Sequence, residues 1–290
     1  MGVRLLRLTP DGIARGDDWW REQGAVRAFG GQIVAHCLVA AAKEAPSGWA
    51  CHSCHIHFLR AGRRLDTRYT VAEVRVGRSY ATYRVSAVET GITPREIALA
   101  TVSFHDEARE VAEGAPKLHA APMPAATIAA AKAVPEANAY TDGVRWPVPA
   151  DETGLRYFVA WDAQLMGSLQ TAMEHVAAVG FYSDMRFLWG AHAEHRAAAD
   201  VTMLASLDHA IFFHTATVDM TAPLLYEIDS PFAGSGRALV RGRLWELSTG
   251  TLIASTVQEG VLRVRARRPD LGATPAVSAV GEAHPPRARL

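Results

Sequence analysis

Cysteine is scarce in this chain. The three residues Cys37, Cys51 and Cys54 are too few and too odd in number for a disulfide framework. Charge of one sign is also missing, since 30 basic and 30 acidic residues cancel. No basic stripe with interleaved aromatics occurs, which excludes a nucleic-acid surface of the usual kind. No apolar run approaches the ~18 residues that span a bilayer. The opening MGVRLLRLTPDG lacks the apolar stretch of a signal peptide, and Leu6 stands where a myristoylation signal needs Ser or Thr. A cytoplasmic protein is therefore expected. A serine-nucleophile elbow is absent too, because Phe232-Ala233-Gly234-Ser235-Gly236 lacks the first glycine in register. Cys51-His52-Ser53-Cys54-His55 spells the haem-attachment pattern, but that attachment follows export. Zinc on Cys51, Cys54, His55 and His57 fails on geometry, because a strand sends neighbouring side chains to opposite faces. No metal and no cofactor is expected, and His52, His55 and His57 read as sheet surface or a subunit contact.

What the chain does have is apolar mass. It has 290 residues, 49% of them hydrophobic, enough to bury a substantial core. Composition divides it into residues 1–105, an Ala- and Pro-rich linker over 106–150, residues 151–268, and a Pro-, Ala- and Arg-rich tail over 269–290 that reads as disordered.

The first region follows a plain order. Phe29-Gly30-Gly31-Gln32 opens the apolar run IVAHCLVAAAK, with Ile33, Cys37 and Ala41 on one helical stripe. Two glycines at a helix start let another backbone or a ligand approach its unpaired N–H groups. Four strand patterns follow, each ended by a Gly-containing turn: CHSCHIHFLRAG, LDTRYTVAEVRVG, SYATYRVSAVETG and REIALATVSF.

The second region repeats that order. A shift of 155 residues sets Ile56 on Ile211 and Phe58 on Phe213. It places Asp184 opposite Phe29, at the start of a helix MRFLWGAHAEH. It places Ser206 opposite Cys51, and Gln258 opposite Ser103. A period this long is a duplicated domain rather than a solenoid. The expectation is an α+β fold of two copies that close one continuous sheet, each wrapped around a buried helix. Within Arg241–Arg263, two apolar runs joined by Ser-Thr-Gly form a hairpin, and Gln258 and Glu259 stand where a core strand would stay apolar.

FGGQ, HSCHIHFLRAG and GRSYATYRVSAVETG in the first half, with SDMRFL, ASLDHAIFFH, LLYEIDSPFAGSGRALVRG and STVQEGVLR in the second, resemble the bacterial acyl-CoA thioesterase II family. The resemblance covers most of residues 25–265. It implies a double hotdog fold and hydrolysis of fatty acyl-CoA to fatty acid and CoA. It implies an active site of Asp184, Ser206 and Gln258 in the second copy. The aligned positions of the first copy lack these polar groups, so that copy is read as scaffold and part of the acyl pocket, with Gly30 and Gly31 lining it. It also implies a homodimer or homotetramer. Two residues depart from the pattern: Ser206 stands for the family's Thr, keeping the hydroxyl but losing the methyl, and Ala61 stands for Pro in a turn. Thiolate is a good leaving group, so an oriented water suffices as nucleophile. Other readings stay open. Asp184 can be the cap of the helix after it. Asp208 and His209 are adjacent in a strand, point to opposite faces and read as structural. A non-catalytic acyl-CoA binder and a hotdog enoyl-CoA hydratase are the competing functions. The hydratase lacks support, since no G-D-x-N-P-x-H type segment is present.

Overall fold

The computed structural model describes residues 6–20, 27–114, 119–121, 123, 144–148, 156–160, 169–193, 199–220 and 224–266. Helix α1 spans Gly30–Ala42 and is apolar on every side, so it is buried nearly throughout. Before it lies the two-residue strand β1 (Ile13–Ala14). After it come β2 (Ala50–Phe58), β3 (Thr67–Val76), β4 (Tyr80–Glu89) and β5 (Arg95–His105), the expected four strands. The short α2 (Glu107–Ala112) follows, capped by the Asp106 carboxylate, which accepts from the Arg109 N–H at 3.1 Å. Strands β6 (Val144–Val148) and β7 (Arg156–Ala160) pair with each other. The first of them falls inside the segment read as a linker. The second copy supplies α3 (Ala172–Ser183), the one-turn α4 (Trp189–Ala193), β8 (Ala199–Ser206), β9 (Asp208–Phe213), β10 (Leu224–Gly234), β11 (Arg237–Glu246) and β12 (Leu252–Ala266).

Among the described residues these strands form one twelve-stranded sheet in the order β1-β3-β4-β5-β2-β9-β12-β11-β10-β7-β6, with β8 also on β12. The copies meet at β2 and β9, which run antiparallel with Cys54 opposite Ile211. Inside, α1 packs on α3. The N-terminal end of α1 meets the C-terminal end of α3, where Gly31 lies against the Phe181 carbonyl, and Gly180 seats Val34 and Leu38. Two antiparallel half-sheets, each around a central helix, make the expected double hotdog.

Three local expectations change. Asp184 does not begin a helix. It is the C-cap of α3, which starts at a capping box: Thr171 Oγ1 accepts from the Glu174 N–H at 3.2 Å, and Glu174 accepts from the Thr171 N–H at 3.1 Å. Phe29, by contrast, is the N-cap of α1, so the two positions are not equivalent. The uniform shift fails because α4 and the start of β8 stand between helix and strand in the second copy only.

The partner of Gln258 also changes. Ile56 pairs with Ala100 in the first copy and Ile211 with Thr256 in the second, so Gln258 corresponds to Val102 and not Ser103. Burial agrees, since Val102 and Gln258 are both 0% exposed whereas Ser103 sits on the outer face. A one-residue slip exchanges the faces of a strand.

Finally, Cys51 and Cys54 are both buried, although their spacing predicts opposite faces. The register of β2 on β5 slips between Cys51 and Ser53, and this bulge turns Cys51 inward. His55 and His57 remain on the outer face, away from both thiols. The 269–290 tail lies outside the described residues.

Candidate active site

Asp184 is delivered by the end of α3 to the start of α1. Phe29, the N-cap of α1, offers no side-chain acceptor for the free N–H groups of the first turn. The Asp184 carboxylate takes that place and accepts from the Gly31 N–H. Glycine is required for the approach: a Cβ on Gly30 would stand 2.6 Å from Asp184 Oδ2, and one on Gly31 would overlap the Phe181 carbonyl oxygen. Asp184 therefore does cap a helix, but that of the other copy rather than the one following it.

Gln258 reaches the same carboxylate from β12. Its Nε2 donates to Asp184 Oδ1 at 2.6 Å. A carboxylate only accepts, so the amide must present its NH₂ to it. The other end, Oε1, is buried and has no hydrogen-bond partner among the described residues. Ser206 ends β8 opposite Gly260, and its hydroxyl also hydrogen-bonds Asp184. A side chain on Gly260 would overlap Leu188, so this glycine lets the strand lie close beneath the site. The three residues implied by the resemblance thus converge on one carboxylate. Burial pushes the Asp184 carboxyl above its ordinary value, and the bonds from Gln258, Gly31 and Ser206 oppose that shift.

A second layer fixes this end of α3. The Tyr226 hydroxyl donates to the Ser183 carbonyl at 2.6 Å and lies 2.8 Å from Thr256 Oγ1. Ser183 Oγ donates to the Gly180 carbonyl at 2.8 Å and faces His209 Nε2 at 2.8 Å. Ser183 has only one proton, so His209 is the donor there. Burial drives the His209 pKa down to about 3, and the ring is neutral and structural. Asp208 points the other way and accepts from the Glu259 backbone N–H at 2.8 Å, holding the irregular step between β8 and β9. Glu259, which the sequence leaves without a role, pairs with Arg237 on the surface at 2.9 Å.

A cavity of about 340 Å³ opens over Asp184. Gly30, Asp184 and Ser206 line it together with Trp20, Phe29 and Arg186. Gly31 and Gln258 stand behind its wall. Trp20 and Arg186 are cavity residues that the motifs did not reveal. The signals for them were a tandem Trp19-Trp20 just before FGGQ, and an Arg two residues after the Asp. Arg186 has the left-handed backbone (φ 59°) uncommon for a side chain with a Cβ. Among the described residues no group of His, Cys, Asp and Glu is arranged to hold a metal ion.

Comparison with known proteins gives the same outline. A model described as "Acyl-CoA thioesterase N-terminal domain" matches residues 16–105, and one described as "Acyl-CoA thioesterase" matches residues 161–261. Human acyl-coenzyme A thioesterase 8 is 31% identical over 296 residues, covering 90% of this chain and 88% of the relative. Acyl-CoA thioesterase 2 of Haemophilus influenzae is 28% identical over 290 residues, covering 90% and 96%. The crystal structure of the acyl-CoA thioesterase II TesB2 from Mycobacterium marinum superposes with a TM-score of 0.66 at 28% identity, covering 85% of this chain and 92% of that one. The chain belongs to the acyl-CoA thioesterase II family.

Proposed function

We propose that this thioesterase hydrolyses fatty acyl-CoA to free fatty acid and CoA by attack of a water activated at Asp184. The observation that supports this is the carboxylate in the cavity wall, held at once by Gln258, Ser206 and the Gly31 N–H. The water oxygen bonds to the thioester carbonyl carbon while its proton passes to Asp184. The C–S bond then breaks, and the CoA thiolate leaves and takes up a proton. Gln258, from behind the cavity wall, holds the carboxylate in place through its Nε2 bond to Asp184 Oδ1. Gly30 lines the cavity with a first-turn N–H of α1, a donor suited to the developing oxyanion. Gly31 is spent on the carboxylate rather than on substrate.

The three cysteines are free and buried, which suits a reducing compartment and a cytoplasmic protein. No helix among the described residues is long and apolar enough to cross a membrane. The homodimer or homotetramer implied by the resemblance belongs to the same reading, and light scattering on the purified chain tests it.

The chemistry is tested by release of free thiol from octanoyl-CoA. Tight binding with no thiol release would instead select a non-catalytic acyl-CoA binder. Ser206 offers a graded test. A hydrogen bond to a charged group contributes about 1.5–3 kcal/mol, so Ser206→Ala is expected to lower kcat about ten- to hundredfold. Ser206→Thr keeps the hydroxyl and is expected to stay within about threefold of the starting enzyme. Equal rates for Ser206→Ala and the parent would remove the hydroxyl from the mechanism.

A further inference from the structure

Trp20 lies outside every helix and strand, yet it is only 8% exposed. It faces the cavity beside Phe29, and the two rings meet Phe181 edge to face as a closed cluster. Their centroids are 5.0 Å apart for Trp20–Phe29, 5.9 Å for Trp20–Phe181 and 5.0 Å for Phe29–Phe181. The only polar atom of this triad is the Trp20 indole N–H, and the rings sit against the contact between α1 and α3. Three aromatic faces are a poor surface for the nucleotide and diphosphate of CoA, which are polyanionic and strongly hydrated. An alkyl chain suits them.

The loop that carries Trp20 is fastened unusually well. Gln32, on α1 and 0% exposed, accepts from the Trp20 N–H at 2.7 Å through Oε1 and donates to the Asp18 carbonyl at 2.9 Å through Nε2. The neighbouring Trp19 donates its indole N–H to the Leu65 carbonyl at 2.9 Å, and the Gly16 N–H binds Asp66 at 2.7 Å. A buried amide spent on loop backbone from inside an apolar helix is costly unless the loop's position matters. A segment held this way is a fixed wall rather than a moving lid.

We propose that Trp20, held by Gln32, is the end wall of the acyl pocket and sets the longest acyl chain that the site accepts. This rests on the thioesterase reading given above. The cavity, about 340 Å³, lies near the small end of the ~300–1,000 Å³ typical of ligand sites. With the acyl chain against these rings, the position of one large ring decides how many carbons fit.

The test compares kcat/KM for palmitoyl-CoA and octanoyl-CoA in the full-length enzyme, in Trp20→Ala and in Trp20→Phe. The ratio within each variant cancels differences in the amount of folded protein. One methylene in an apolar pocket is worth about 10–200-fold in discrimination. Trp20→Ala is therefore expected to raise the palmitoyl-to-octanoyl ratio at least about tenfold, with Trp20→Phe in between. Gln32→Leu, which frees the loop, is expected to move the ratio the same way by a smaller factor. A ratio unchanged within about twofold in both Trp20 variants overturns the proposal. Failure of the thioesterase reading itself is separate: it would show as no thiol release from either acyl-CoA in the parent enzyme.

Discussion

Asp184→Asn is expected to lower kcat for octanoyl-CoA about 10²–10⁴-fold, the usual worth of a positioned general base, while the protein melts no lower than its parent. The two halves of this expectation have one cause. Burial raises the Asp184 carboxyl above its ordinary value, so the fold favours the protonated form. For a group with a raised folded-state pKa, the stabilising contribution is present at low pH and is lost as pH rises through that pKa. At neutral pH the ionised Asp184 is therefore a cost that asparagine removes. Asn keeps an oxygen for the Gly31 N–H, and the Gln258 amide can turn its unpaired Oε1 to the new NH₂. The melting advantage of Asp184→Asn should shrink as the medium is acidified. Kinetics and calorimetry on the same preparation check both parts. A variant that melts several degrees lower yet keeps its turnover within about tenfold would make Asp184 a helix cap and nothing more.

Substituting the two glycines that open α1 should separate site from scaffold. In Gly31→Ala the added Cβ overlaps the Phe181 carbonyl, a backbone atom that no rotamer change can move. The helices α1 and α3 must part, and the cost lies at or beyond the ~1–3 kcal/mol of an overpacked core. With about 2–4 °C per kcal/mol for a chain of this size class, the melting temperature should fall by roughly 5–10 °C. Activity should fall about a hundredfold as well, since the carboxylate loses its anchor and shifts. In Gly30→Ala the new Cβ meets Asp184 Oδ2 at 2.6 Å and the Phe58 ring at 3.1 Å, both side chains that can give way. That variant should lose most of its turnover but only about 1–2 °C of stability. Loss of stability alone in both variants, with specific activity intact, would show that the start of α1 is packing and not part of the site.

The repeat and the order of strands are legible in the sequence, and the three polar residues through the family resemblance. β2 through β5 are bounded by Gly-containing turns, and their internal copy fell at Ile56/Ile211 because both residues are core positions on paired strands. Sequence spacing misses the helix of the second copy for a physical reason. AMEHVAAVGFYS is buried along its last two turns and so shows no amphipathic stripe. MRFLWGAHAEH displays a helical spacing, but its described residues form turns and the one-turn α4. The pairing of Gln258 with Ser103 instead of Val102 arose because a one-residue insertion leaves residue identities nearly as good while reversing the faces. Corrected, the comparison says more: the second copy places an amide where the first has a core valine. Of the first copy's contribution, the open helix start at Gly30 and Gly31 is legible, but the Asp184 carboxylate that Gly31 binds is not. That bond depends on α1 and α3 meeting end to end, a contact between residues some 150 positions apart.

The measurement closest to the central claim is the pH dependence of kcat/KM for octanoyl-CoA in the parent and in Gln258→Leu. The base must be ionised to accept a proton, so the rate should climb with pH and reach half its plateau above the ordinary carboxylate range, where burial has moved Asp184. Gln258 donates to that carboxylate at 2.6 Å and holds its pKa down, so removing the amide should carry the acidic limb to still higher pH along with lowering the plateau. An acidic limb at the same pH in both enzymes would contradict Asp184, held by Gln258, as the group that activates the water.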